Sequence, residues 1–274
     1  MESSFRLMGN WCSPMNIHIV TLYEIRRYLL TARHYFLLLV SVLPMSVFLA
    51  FTVSTATIEL SLTSLKSYHT TILVGYSFFS YLVAILVSIV VVSDIIGNET
   101  AFEFLVLAAR RSHLLIGKML AIQLLIIVSE LYSGLAFLAV LFAYGVEFPP
   151  FERMLLALVT SWLVSSIPAA VALFSSSLTL RLNLSSHTAT YLTIFVFFVI
   201  PSIIYFSLFH IGLFHIGMLD LTIHRPIQLF IIKVLDPSSV IGDEYFAYIT
   251  QTLSAVFFGL VSAASFLFLT SPVY

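Results

Sequence analysis

The sequence predicts an all-α, polytopic membrane protein with six transmembrane helices, and three observations carry that reading. Of its 274 residues, 60% are hydrophobic and 9% are charged, whereas a soluble domain is ~45–50% apolar. The mean hydropathy is +1.08. The apolar residues fall in runs about as long as the ~20 residues a helix needs to cross a bilayer. The charges gather between those runs: Ser93 to Lys118 holds Asp94, Glu99, Glu103, Arg110, Arg111 and Lys118. A net charge of −1 gives no reason to expect a nucleic-acid partner, so charge has to be read loop by loop.

Residues 17–34 carry Glu24, Arg26, Arg27 and Arg33, too many charges for hydrocarbon. Leu22, Ile25, Leu29 and Ala32 fall on one helical face and Glu24, Arg27, Thr31 and His34 on another. This pattern predicts an interfacial helix lying on the membrane by its apolar face. The first span is expected at 35–55, bent by Pro44, and residues 59–69 make a polar link. The second, at 70–92, sets Ser77, Tyr81, Ala84 and Ser88 on one stripe, a composition suited to facing other helices. The third, at 114–144, overshoots a ~30 Å core at ~1.5 Å per residue. A turn with Pro149 and Pro150 leads to the fourth span, at 154–178. A polar link at 181–187 precedes the fifth, at 188–209. Between 210 and 247, Leu213 to Leu221 and Pro226 to Val234 are apolar but too short to cross, which suits re-entrant or surface helices. The sixth span, at 248–270, places Ala255, Gly259 and Ala263 four residues apart, a small-residue stripe that admits a close helix neighbour. The whole chain reads as one transmembrane domain.

Six spans put both termini on one side. That side carries Arg6, Arg26, Arg27, Arg33, Arg110, Arg111, Lys118 and Arg181, and the opposite side carries Lys66, Arg153, Arg225 and Lys233. The bias places both termini and the island in the cytosol and the 210–247 segment outside, and the protein is expected in the plasma membrane. No signal-peptide pattern occurs in the first 18 residues, so the N-terminus is expected to be retained, with the first span directing insertion. A lone Cys12 excludes an internal disulfide and a thiolate metal cage.

Within the charged island, Asn98 can cap a helix, Glu99 and Glu103 lie at its positive end, and Arg110 and Arg111 lie at its negative end. Phe102, Leu105, Val106 and Ala109 give this 98–111 helix an apolar face. Together with the amphipathic helix before the first span and the re-entrant pieces before the last, the island resembles the type 2 ABC-transporter permeases. The resemblance covers nearly the whole chain. Thr100, Glu103, Leu105, Arg111, Gly117 and Lys118 stand where that family has its Thr, Glu, Leu, Arg and Gly-Lys, while Glu99 replaces a Gly and Ala108 a Pro. Asp236-Pro237 resembles the family's Pro-containing stretch before the last span. The resemblance implies an exporter subunit that works as a homo- or heterodimer. It also implies a coupling helix, gripped by two copies of a cytosolic ATPase through Glu99, Thr100, Phe102, Glu103, Leu105, Arg110 and Arg111.

The chain itself is not expected to bind or hydrolyse ATP. Gly117-Lys118 lacks the preceding Gly of a phosphate loop, having Ser112 there, and the following Ser or Thr, having Met119. ATP and Mg are therefore assigned to the partner, with no cofactor in this chain. No metalloprotease motif or serine elbow occurs. Two other classes stay open: a non-transporting membrane scaffold, and a membrane enzyme or electron-transfer subunit. The latter would need paired histidines inside spans, whereas the eight histidines lie at span ends or in loops. Inside the membrane the candidate pathway or polar residues are Gln123, Glu130, Ser77, Tyr81 and Ser88. Glu130 is the most costly of these to bury, and it serves either as a hydrogen-bonded packing group or in proton or substrate handling. His210, His215 and His224, with His69 on the same side, match no metal-ligand spacing, so no metal site is expected.

Overall fold

The computed structural model describes residues 17–30, 32–59, 65–96, 111–203 and 224–271; at 48–49, 51–59, 65–68, 93–94 and 186 only the backbone is described. The described residues form eight α-helices: α1 (Ile17–Leu29), α2 (Ala32–Glu59), α3 (Leu65–Ile96), α4 (Arg111–Ala143), α5 (Phe151–Arg181), α6 (Ser186–Ile194), α7 (His224–Leu235) and α8 (Asp243–Leu269). A π-helical turn, Phe195–Val199, continues α6. Four stretches are long and apolar enough to cross a membrane: His69–Val92 in α3, and α4, α5 and α8. The protein is a multi-pass α-helical membrane protein.

Most boundaries differ from the sequence reading in one direction, because the helices continue past the apolar runs into polar ends. The link expected at 59–69 is shorter, since α2 runs to Glu59 and α3 starts at Leu65. Likewise α4 starts at Arg111, and α5 spans Phe151–Arg181. Two turns show why these helices stop where they do. After α4, Gly145 adopts φ +64; its N–H donates to the Phe142 carbonyl and that of Val146 to the Leu141 carbonyl. After α5, Asn183 adopts φ 53, with Asn183 N–H on Leu180 O and Leu184 N–H on Thr179 O. Both are left-handed C-terminal caps, made by the two residue types that tolerate that conformation best.

The core is a tightly packed group of α3, α4 and α5, with α2 against α3 and α4, and α8 against α5. One apolar cluster centres on Met45, Tyr76, Ile85, Phe137, Ile167 and Phe197. A second, at the other end of the bundle, includes Val20, Tyr28, Val92, Leu125 and Phe268. The expected inward stripe holds: Ser77, Tyr81, Ala84 and Ser88 are all buried. Large side chains such as Leu43, Leu86, Leu135, Leu155 and Phe258 remain exposed, as a bundle in hydrocarbon requires.

α1 corrects the sequence reading. It meets the Ala32–Val47 part of α2 at a 76° bend, an angle an interfacial helix would make with a span. Its charged side, however, is not turned to water. Val20, Thr21, Glu24 and Tyr28 are buried against the bundle, while Leu22 is 66% exposed. The face holding Glu24 turns inward because a buried cation on α4 awaits it.

Candidate functional site

The intramembrane site is built where three helices bring small polar residues together. On α3, Ser77 and Ser80 face α5; on α5, Ser161 and Ser165 are one turn apart; α4 supplies Glu130. Small side chains let these helices approach closely. The Glu130 carboxyl is buried, and its Oε2 accepts from the Ser80 hydroxyl at 2.7 Å and from Ser161 at 2.9 Å. Its Oε1 accepts from Ser165 at 2.6 Å. A carboxylate is an acceptor-only group, and three hydroxyl donors from two neighbouring helices meet it. The same hydroxyls can accept from it if it carries a proton, so the site can bond to either form. Beside it, Ser77 Oγ donates to Ala157 O at 3.2 Å. Ser129 and Ser133, on α4, bond Ser41 at 2.7 Å and the Ser41 carbonyl at 3.2 Å. The buried Tyr76 hydroxyl has no hydrogen-bond partner among the described residues.

The second site lies where α1 docks. Lys118 Nζ donates to Glu24 Oε1 at 2.7 Å and to the Ile95 carbonyl at 2.7 Å, and the two side chains are 1% and 2% exposed. Lys118 was counted above among the water-facing charges of the island. It is instead the buried cation that fixes which face of α1 turns inward. The preceding Gly117 is the contact point: a Cβ there would stand 2.6 Å from Val20 Cβ and 3.1 Å from the Ile17 carbonyl. Thr21 Oγ1 also donates to Gly117 O at 3.2 Å. Gly-Lys thus lets α1 come close and then binds its carboxylate, while Ile95 O joins the end of α3.

At the other end of the bundle, His224 bridges two elements. Its Nε2 is 3.0 Å from the Phe197 carbonyl and its Nδ1 is 3.0 Å from the Tyr81 hydroxyl. A carbonyl only accepts, so Nε2 carries the proton, and in the neutral ring Nδ1 accepts from Tyr81. Phe197 sits in the π-helical turn, where the widened ladder leaves a carbonyl for such a bond. His69 is buried elsewhere in α3, and no group of three His, Cys, Asp or Glu suited to a metal ion occurs among the described residues.

A cleft of ≈ 670 Å³ opens between α4, α5, α7 and α8, with Gln123, Trp162, Ser166, Phe230 and Phe257 among its lining residues. Ser166 Oγ donates to Gln123 Oε1 at 3.4 Å. Gln123 therefore stands apart from Glu130, although both lie on α4.

Of the expected coupling residues, Glu99, Thr100, Phe102, Glu103, Leu105 and Arg110 lie outside the described residues, as do His210 and His215. Arg111 opens α4 and donates to the carbonyls of Leu269 and Ser271, each at 3.0 Å. Arg181 donates to Thr270 O. Two guanidiniums thus cap the C-terminal end of α8, where the helix dipole favours cations. At the centre of the stripe of Ala255, Gly259 and Ala263, no atom of the described residues lies within 4 Å of a Cβ built on Gly259. Sequence reasoning missed Ser80, Ser161, Ser165 and the Glu24–Lys118 pair. The serines had a readable pattern, with 161 and 165 at helical spacing inside a span. No family model matches the chain, and no curated protein matches it either.

Proposed function

We propose that this chain is the permease subunit of an ABC exporter of the type 2 class. In this reading six spans hold both termini in the cytosol of a plasma-membrane protein. Two copies form the substrate path, and the 98–111 segment is the coupling helix gripped by separate ATPase subunits that bind ATP and Mg. The chain contributes no catalytic residue of its own.

The observation that carries the reading is the α1–α4 junction. The resemblance includes a Gly-Lys pair at the start of span three, and in this chain Gly117 and Lys118 tie α1, the end of α3 and the start of α4 into one unit. Those are the elements that flank the 97–110 segment, so a push on that segment reaches the spans without being lost in a loose joint. The small-residue face of α8, open at Gly259 among the described residues, and the polar interior around Glu130 suit a subunit that associates in the membrane and carries polar groups through it.

The test reverses charge in the coupling segment. Glu103→Arg places like charge against the docking surface the ATPase would present, and it should insert normally yet lose the co-purifying ATPase or its substrate-stimulated turnover. Lys66→Glu, on the opposite side, should do neither. Wild-type binding and ATP turnover in both Glu103→Arg and Arg111→Glu would refute the proposal.

A further inference from the structure

The cleft between α4, α5, α7 and α8 has a chemistry that specifies an occupant. None of its lining residues is charged: Trp162, Leu163, Phe230, Phe257 and Phe258 form apolar walls, and the polar groups are Gln123, Ser166, Thr250 and Ser254. Thr250 is satisfied within its own helix, bonding Phe246 O at 2.9 Å, and Ser166 bonds Trp162 O at 3.2 Å as well as Gln123 Oε1. Gln123 is only partly buried, and its one long contact to Ser166, at 3.4 Å, engages one end of the amide while the side chain lines the cleft. The Trp162 indole N–H, shielded from solvent in the same wall, is without a partner among the described residues. Gln123 lies about 18 Å along α4 from Arg111, at 1.5 Å per residue, and α4 is about 50 Å long. A ~30 Å hydrocarbon core centred on this helix therefore holds Gln123 about 8 Å below its edge. Water does not supply an acceptor at that depth, and leaving a donor unmade there is costly.

We infer that the cleft is a lipid-binding site: it takes one glycerolipid from the bilayer, with an acyl chain against Trp162, Phe230, Phe257 and Phe258 and an ester carbonyl accepting from the Gln123 amide. The volume of ≈ 670 Å³ is within the ~300–1,000 Å³ of ordinary ligand sites, and apolar walls with a few convergent polar groups are their usual composition. A neutral lining suits the neutral ester and chain. The site stands independently of any ATPase partner.

The sequence has two tryptophans, so a Trp11→Phe variant leaves Trp162 as the only reporter. In nanodiscs titrated with phosphatidylcholine brominated mid-chain, Trp162 fluorescence should be quenched saturably, reaching its limit while the brominated lipid is still a minor fraction. Native mass spectrometry of the detergent-purified protein should retain one phospholipid per chain. Ser254→Phe fills the cleft from its exposed rim and should abolish both effects while leaving the elution volume of the folded protein unchanged. Gln123→Leu should weaken the saturable phase about tenfold, as loss of one hydrogen bond does. Quenching proportional to lipid fraction and equal in wild type and Ser254→Phe would show only the bulk lipid shell and overturn the inference. So would an unquenched Trp162, which would mean that protein covers the cleft.

Discussion

Removing one member of the Glu24–Lys118 pair should destabilise the protein far more than removing both. The two side chains are 2% and 1% exposed and their charged atoms are 2.7 Å apart. Glu24→Leu leaves a buried ammonium without the carboxylate that stood 2.7 Å from it, though still bonded to the Ile95 carbonyl, and Lys118→Met leaves a buried carboxylate facing Arg27 at 4.0 Å. Breaking a buried pair from one side costs about 3–5 kcal/mol, because the survivor is charged and desolvated. Replacing both by apolar residues of similar length removes the desolvation as well as the attraction, and is neutral or mildly stabilising. Each single variant should therefore lose about 3–5 kcal/mol in reversible unfolding from mixed micelles, and Glu24→Leu/Lys118→Met should return to within about 1 kcal/mol of wild type. The double-mutant cycle then gives a large coupling energy. If the single variants unfold within about 0.5 kcal/mol of wild type, as surface pairs do, α1 does not dock through this pair.

Further outcomes follow from the same geometry. Gly117→Ala puts a Cβ at 2.6 Å from Val20 Cβ and 3.1 Å from a backbone oxygen, so α1 has to shift, at a cost of about 1–3 kcal/mol; Val20→Ala in that background should recover part of the loss in the same unfolding assay. Glu130→Gln should fold like wild type, since serine hydroxyls accept as well as donate. Glu130→Leu should cost about 1–3 kcal/mol, limited because each serine can turn to a carbonyl of its own helix. A stable Glu130→Gln protein that no longer transports would assign the carboxyl to proton or substrate handling. In a Cys12→Ser background, a cysteine at Ser112 should label only from the cytosolic side and one at Ser238 only from outside; external labelling at Ser112 would invert the topology.

The sequence made the helices legible because hydrocarbon admits few alternatives: a long apolar run has to be a helix. Burial of the Ser77, Tyr81, Ala84 and Ser88 stripe was equally readable, as was the hydrogen bonding of Glu130, which no buried carboxyl can forgo. The orientation of α1 was not. The amphipathic reading lays the apolar face on the membrane and turns the charged face to water, and that second half fails when the bundle itself offers a charge. Lys118 could not be recognised as that charge from its neighbours, since it follows a run of polar and basic residues at the apparent water edge. Nor could His224 be placed against Tyr81, because about 140 residues separate them and only the fold brings them together.

These polar contacts also decide how the bundle can move. Glu130 ties α4 to α3 and α5, Ser41 ties α2 to α4 through Ser129 and Ser133, and Lys118 ties α1 to α4 and the end of α3. Each bond is made by buried side chains, so separating these helices would break contacts between groups that the bundle shields from water. α8 is held differently: apolar contacts against α5 along its length, the cleft beside it, and two arginines gripping its last carbonyls. Apolar contacts can slide against lipid at little cost, whereas the arginine bonds fix one end. His224 adds a further tie, holding Tyr81 of α3 to the π-turn after α6. In the proposed transport cycle α1 to α5 would therefore move as one body, and α8, whose other end is tied to α7 by Lys233 and Asp243 at 3.1 Å, would shift together with α7 and so open or close the cleft.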